Sequence, residues 1–171
     1  SGIPTIAAHR SDDAFHWAMV NEFVLGQKKW AVSGLVCVSK YLYKKVKEQN
    51  PEHTKLCVIP SGVPIPLESA SQEGPIKLAY VGRLAQEQKR ILDLVDALAK
   101  VMHSFPKVTA TLYGDGEERS KVEKRIDKLN LSRRIHVAGS CPSEKIHKQL
   151  LKHNVLVLLS DYEGTPGAVM D

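Results

Sequence analysis

The sequence predicts an α/β protein built on parallel sheet, in two pieces joined by a linker. Three observations carry this. Short apolar runs, often β-branched, lack the polar alternation of half-exposed strands, as strands buried on both faces do. Longer charged stretches with apolar residues three and four apart lie between them, which is the pattern of covering helices. A proline- and serine-rich segment, PIPLESASQEGP at 64–75, breaks the rhythm with little to bury. The division is therefore residues 1–63, a linker at 64–75, and residues 76–171.

In the first piece, Ile3–Ala8 reads as a strand. Asp12 or Asp13 can cap a helix running to about Lys29, with Phe15, Ala18, Met19, Glu22 and Phe23 as its stripe. Leu35–Val38 is a buried-type strand, and Ser39 is placed to cap a helix over Lys40–Gln49. Asn50-Pro51 ends that helix, because the residue before proline is pushed out of the α region. Leu56–Ile59 is a further strand. After the linker come strands at Ile76–Val81, Val108–Tyr113, Ile135–Ala138 and Val155–Leu159. Helices are expected at Ile91–Phe105, Glu117–Leu129 and Ser143–Leu151. Four strands are few for a doubly wound sheet and three few for an independent core, so the chain reads as part of a larger two-domain protein.

Composition excludes several classes. The 24 Lys+Arg against 19 Asp+Glu leave a mild +5, and aromatics are 6%, so no basic, aromatic-lined nucleic-acid platform is expected. No apolar run reaches the roughly 20 residues that span a bilayer. The start, SGIPTIAAHRSDD, has no basic stretch followed by an apolar core, so it does not read as a signal peptide. The expectation is a cytoplasmic protein. The cluster Lys44, Lys45 and Lys47 reads as a solvated helix face, with peripheral contact to an anionic inner membrane surface as the alternative. Cys37, Cys57 and Cys141 have no metal or disulfide spacing and read as reduced thiols, at least two of them in the core.

In parallel sheets ligands bind beyond the carboxyl ends of the strands, so the turns matter. In the first, Gly82 closes a strand, Arg83 follows, and Lys89 stands near a helix start. Two cations and the unpaired amides of a first helical turn suit a diphosphate. The alternative is an Arg83–Glu87 surface pair with Lys89 and Arg90 solvated. The second turn, LYGDGEER at 112–119, has Arg119 where a dinucleotide fingerprint needs glycine, so it reads as a tight turn. In the last, SDYEGTPGAVMD at 160–171, Glu163 precedes Gly164, Thr165, Pro166 and Gly167, and Asp171 lies eight residues beyond it. These acids could accept hydrogen bonds from sugar hydroxyls, or serve as turn and cap residues.

Taken in order, VSKYL (38–42), VIPSGV (58–63), YVGRLAQEQKR (80–90), LYGDGEE (112–118), VAG (137–139) and SDYEGTPGAVMD (160–171) resemble glycosyltransferase family 4. The resemblance covers nearly the whole chain. It implies the GT-B fold, two Rossmann-like parallel-sheet halves, here truncated at both ends. Residues 1–63 would be the C-terminal part of the acceptor-side domain, and 76–171 the first four βα units of the nucleotide-sugar domain. It implies a retaining transfer of a sugar from a UDP-sugar or GDP-sugar to a glycan or lipid acceptor hydroxyl, in polysaccharide, glycolipid or glycoconjugate synthesis. No cofactor or metal is implied, and the piece alone is expected to be inactive.

The same resemblance places Arg83 and Lys89 on the donor diphosphate, with Gly82 beside them, and Glu163 and Asp171 on the family's E-x7-E motif. Glu163 would lie near the donor sugar and Asp171 at the ribose. The segment Gly164, Thr165, Pro166, Gly167 would sit by sugar and phosphate, and the turn at Gly139 would face the base. His9, after its strand, resembles the histidine that approaches the donor sugar from the other domain, or is structural. Two positions depart from the pattern. The usual lysine position holds Gln88, with Lys89 one later, and the second acid is Asp171, about 1.5 Å shorter in reach than glutamate. A sugar-nucleotide epimerase and a non-catalytic interaction domain are the rival readings.

Overall fold

The structure is a computed structural model that describes residues 3–63, 67–71 and 73–170. The chain forms two compact units, Ser1–Val63 with Tyr162–Met170, and Pro64–Asp161. The segment Tyr162–Met170 thus groups with the first unit, where the sequence reading kept it with the second. Its attachment is local: the Thr165 hydroxyl donates to the Val38 carbonyl at 3.0 Å, and Gly164 packs against the Arg10 carbonyl.

The first unit is a three-stranded parallel sheet in the order β1 (Ile6–His9), β2 (Gly34–Cys37), β3 (Lys55–Val58), with helices α1 (Ala14–Phe23) and α2 (Lys40–Lys47). β1 starts and ends later than its apolar run suggests. His9 is therefore the last residue of the strand, paired with Cys37, not the first of a loop.

Asp13 caps α1 by accepting from the His16 amide at 2.8 Å, but the helix stops at Phe23, well short of Lys29. A Cβ at Gly26 would lie 2.3 Å from the Glu22 carbonyl oxygen, so that glycine sits against the helix end. Its inward face is Val20 and Val24, flanked by Trp17 and Phe23. Phe15 and Met19, expected inside, are 69% and 42% exposed. The contact that fixes this rotation, a bond from Trp17 to Asp12, is not a periodicity signal.

Ser39 caps α2 through the Leu42 amide at 3.2 Å, and Leu42 and Val46 are fully buried beneath it. The basic cluster is less solvated than expected: the Lys45 ammonium lies 2.8 Å from both Asp12 oxygens. Of the three thiols only Cys37 is buried, and burial pushes it up to about 11. Cys57, expected inside, is exposed, because β3 is an edge strand with one open face.

The second unit holds a four-stranded parallel sheet in the order β6 (Ile135–Gly139), β5 (Thr109–Tyr113), β4 (Lys77–Val81), β7 (Val155–Leu156). Helices α3 (Ile91–Ser104), α4 (Arg119–Lys128) and α5 (Ser143–Leu150) connect the strands, and a short α6 (Gly167–Met170) follows in the first unit. β7 covers two residues where five were expected, since only Val155 and Leu156 pair with β4.

Tyr80, Leu84, Ile91, Val95, Leu112 and Val122 are fully buried between this sheet and α3 and α4. Each such side chain contributes about 1.5–3 kcal/mol on burial. Residues 64–66 and 72 of the expected linker lie outside the described residues. Ser71 and Lys77 are both held by Asn154, which donates to the Ser71 carbonyl at 2.7 Å and accepts from the Lys77 amide at 2.7 Å. Among the described residues no helix is long and apolar enough to cross a membrane.

Candidate functional site

In the second unit the turns after β4, β5 and β6 are bonded into one piece. The Gly82 amide donates to the Tyr113 carbonyl at 3.0 Å, the Gly114 amide to the Gly139 carbonyl at 2.8 Å, and the Leu84 amide to the Asp115 carbonyl at 2.9 Å. Two glycines make this possible. Gly114 has φ +147°, and a Cβ there would stand 1.8 Å from the Gly82 carbonyl oxygen. Gly139, at φ +76°, takes a left-handed turn that L side chains rarely adopt. The fully buried Tyr80 donates from its hydroxyl to the Arg83 carbonyl at 2.7 Å and so fixes where that residue leaves the strand.

These turns wall a cavity of about 270 Å³ lined by Gly82, Arg83, Tyr113, Asp115, Ser140 and Cys141. It lies at the carboxyl ends of three parallel strands, where such sheets bind ligands. The Arg83 guanidinium donates to the Gln88 side-chain oxygen at 3.3 Å, not to Glu87. Asp115 is held below the usual carboxylate range by the Gly116 amide and then by Arg119.

One expectation is corrected. The first turn of α3 is not wholly open to an anion, because Gln86, just upstream, caps the Leu92 amide. Its side-chain oxygen accepts from the Leu92 amide at 2.9 Å while its amide nitrogen donates to Asp93 at 2.7 Å. The Ile91 amide points at the Ala85 carbonyl, 3.4 Å away. Lys89 lies in the loop before α3 and outside the cavity lining. Arg90, in a left-handed conformation with φ 52°, pairs with Asp93 at 2.8 Å.

The remaining candidates sit in the first unit. The segment holding Glu163, Gly164, Thr165, Pro166 and Gly167 belongs there. A Cβ at Gly164 would fall 1.9 Å from the Arg10 carbonyl oxygen, so only glycine allows this approach to the end of β1. Thr165 spends its hydroxyl proton on Val38, at the end of β2. Gly167 opens α6. Asp171 lies outside the described residues.

His9, at the end of β1, is 1% exposed, and neither ring nitrogen has a hydrogen-bond partner among the described residues. Burial first, then His16, push it below its ordinary pKa, so it is neutral at pH 7. His9, Gly164 and Thr165 thus gather at the carboxyl ends of β1 and β2, while Gly82, Arg83 and the residues after Gly139 gather in the second unit.

Sequence reasoning missed Tyr80, Tyr113 and Cys141 as parts of the second unit's site. Tyr113 and Cys141 flank turns already singled out and were within reach. Tyr80 lies inside an apolar run and gives no sign of its polar end. Among the described residues no three His, Cys, Asp or Glu side chains converge as a metal site.

The family model for glycosyl transferases group 1 matches residues 65–171, more than half of the chain. An uncharacterized glycosyltransferase, MJ1059, of Methanocaldococcus jannaschii is 34% identical over 92 residues, which are 53% of this chain and 22% of that protein. The chain therefore spans less than a quarter of this curated relative.

Among solved structures, S. aureus TarM, in complex with fondaparinux, alpha-GlcNAc-glycerol and UDP, superposes with a TM-score of 0.77 at 17% identity. That match covers 96% of this chain and 34% of that one. The pneumococcal O-GlcNAc transferase GtfA, in complex with UDP and GlcNAc, matches with a TM-score of 0.71 at 25% identity, covering 81% of this chain and 28% of that one. Two parallel α/β units, glycine-bonded turns at the strand ends and a family match through the second unit lead to one conclusion: this chain belongs to the glycosyl transferases group 1 family.

Proposed function

We propose that the complete protein carrying this chain transfers a glycosyl group from a nucleoside-diphosphate sugar to an acceptor hydroxyl with retention of anomeric configuration. The observation that carries this reading is the cavity beyond β4, β5 and β6, lined by the glycine turns and by Arg83, in a chain of this family. UDP is the favoured nucleotide, because UDP is bound in the solved complexes of TarM and GtfA.

The barrier is departure of a diphosphate while positive charge grows on the sugar ring. Arg83 and Lys89 are assigned to the negative charge that accumulates on the leaving group, and Gly82 lets the backbone come close. The turn at Gly139 is assigned to the base. Glu163 is assigned to the sugar and Asp171 to the ribose. The Gly164, Thr165 and Gly167 amides would serve sugar and phosphate, since the Thr165 hydroxyl already donates elsewhere, and Pro166, with no N–H, shapes the turn. His9, neutral, can both donate to and accept from a sugar hydroxyl.

The test uses the complete protein. UDP should bind in calorimetry, and Arg83→Ala should reduce turnover of a UDP-sugar by roughly 10²–10³-fold with the fold intact. Wild-type turnover by that variant would refute the assignment. Release of an epimerised sugar nucleotide instead of a glycoside would favour the epimerase, and absence of both UDP and GDP binding would favour a non-catalytic domain.

A further inference from the structure

His9 is buried and neither ring nitrogen has a hydrogen-bond partner among the described residues, which is an uncommon state for a polar side chain. Its ring is held by two others instead. Trp17 stands edge-on with its centroid 5.1 Å away, and His16 lies tilted at 6.1 Å.

Each of these rings is gripped by its own carboxylate, and the two carboxylates are consecutive. Asp12 accepts from the Trp17 indole nitrogen at 2.6 Å, and Asp13 holds the His16 Nδ1 with its oxygens at 2.8 and 2.9 Å. Asp12 is braced in turn by α2, accepting from the Tyr41 hydroxyl and the Lys45 ammonium, each at 2.8 Å. That ammonium lies 5.3 Å from the Trp17 ring centre and 5.2 Å from that of Tyr41.

Burial raises both acids, but hydrogen bonds outweigh it. Lys45, Trp17 and Tyr41 bring Asp12 below the carboxylate range, and bonds led by the His16 amide bring Asp13 to about 2. Both are ionised at pH 7 and remain fixed acceptors. The titratable and charged groups facing His9 are His16, Asp12, Asp13 and Lys45.

We propose that Asp12 and Asp13 are positioning residues for His9: each locks one flanking ring, so that the imidazole is oriented by packing alone and keeps both nitrogens for a hydroxyl of the transferred sugar. The sugar in this statement rests on the proposed glycosyl transfer; the positioning does not. A neutral imidazole has one N–H and one lone pair, which match a hydroxyl that both accepts and donates. A hydrogen bond to a neighbouring carboxylate would orient the ring as well, but would occupy one of those two atoms. Indirect orientation leaves both.

The experiment has two readouts, taken on the complete protein with Asp12→Asn, Asp13→Asn and Trp17→Phe. The last removes the indole donor and shrinks the ring beside His9 without touching either acid, and serves should an acid variant fail to fold. Ring-nitrogen NMR of labelled histidine, with His9 assigned by its loss in His9→Gln, should show one neutral tautomer in the wild type. In the variants it should show a shifted or tautomer-averaged His9 signal.

With UDP-glucose and UDP-N-acetylglucosamine as probes, kcat should fall about 10–100-fold, as it does when groups that orient a functional side chain are removed. The affinity for UDP alone should stay unchanged, and Asp13→Glu should recover part of the loss. Unchanged His9 signals in all folded variants overturn the proposal, as does unchanged kcat where the signals have moved. A wild type that turns over neither UDP-sugar, nor GDP-mannose as a third probe, defeats the glycosyl-transfer reading, while the NMR still decides the positioning.

Discussion

The two units bury a histidine each, and they treat it in opposite ways. His153, in the second unit, donates from Nδ1 to the Gln149 carbonyl at 2.9 Å and accepts at Nε2 from the Thr111 hydroxyl at 3.1 Å. The carbonyl can only accept, which sets the tautomer. His9, in the first unit, makes neither bond. A bonded buried histidine adds to stability, whereas an unbonded one costs desolvation without compensation. The same contrast runs through the two sites. In the second unit the turns are shaped by backbone bonds and glycine contacts. In the first, side chains reaching between elements hold a polar group that the fold itself leaves unsatisfied.

That contrast can be broken at several points. The largest effect belongs to the backbone-built region: Gly114→Ala must place a methyl group on the Gly82 carbonyl oxygen from a φ of +147°. A loss of about 3 kcal/mol or more is expected in urea unfolding. Gly62→Ala, where a Cβ meets nothing within 4 Å, is the control and should stay within about 0.5 kcal/mol.

Next comes His153→Ala, expected to cost about 2–3 kcal/mol, since it removes buried packing and takes the imidazole from the Thr111 hydroxyl, while the Gln149 carbonyl keeps the Lys152 amide. His9→Phe should do the reverse of what burial alone suggests, changing stability by less than about 1 kcal/mol or raising it, because an apolar ring needs no partner. A loss beyond about 2 kcal/mol would mean that His9 is bonded in solution and would erase the contrast.

The smallest effects are in pH. His9 has a folded pKa below its ordinary 6.5. The unfolded chain therefore takes up its proton first, and stability falls as pH drops below about 6.5. His9→Phe should flatten that limb of a plot of unfolding midpoint against pH. Asp13, held at about 2 against an ordinary 3.8, stabilises above the upper value, and its contribution is lost as pH falls from there toward the lower. Asp13→Asn should flatten the curve only in that more acid window.

Much of the fold was legible because its signals are short-ranged. Apolar runs marked β2, β4 and β5 to within a few residues, and Ser39 and Asp13 capped the helices they were expected to cap. The turn glycines 82, 114 and 139 also stood out. What failed was what depends on neighbours. The apolar stripe chosen for α1 was one face off, since Trp17 turns inward to Asp12. Cys57 lies in a β-branched run like any core strand, yet β3 is an edge. The first amides of α3 looked open until Gln86, five residues upstream of Ile91, proved to hold the one of Leu92.

The order of strands and helices along the chain, the placement of the glycine turns beyond the strands and the family itself were legible in the amino-acid sequence. Periodicity, proline, glycine and capping act over a handful of residues and survive without knowledge of the whole. The surroundings of His9 were decided only in three dimensions. They join residue 9 to residues 12, 13, 16 and 17, and through Asp12 to Tyr41 and Lys45 on another helix. Whether a buried nitrogen finds a partner depends on which elements pack beside it, and no local pattern in the chain encodes that.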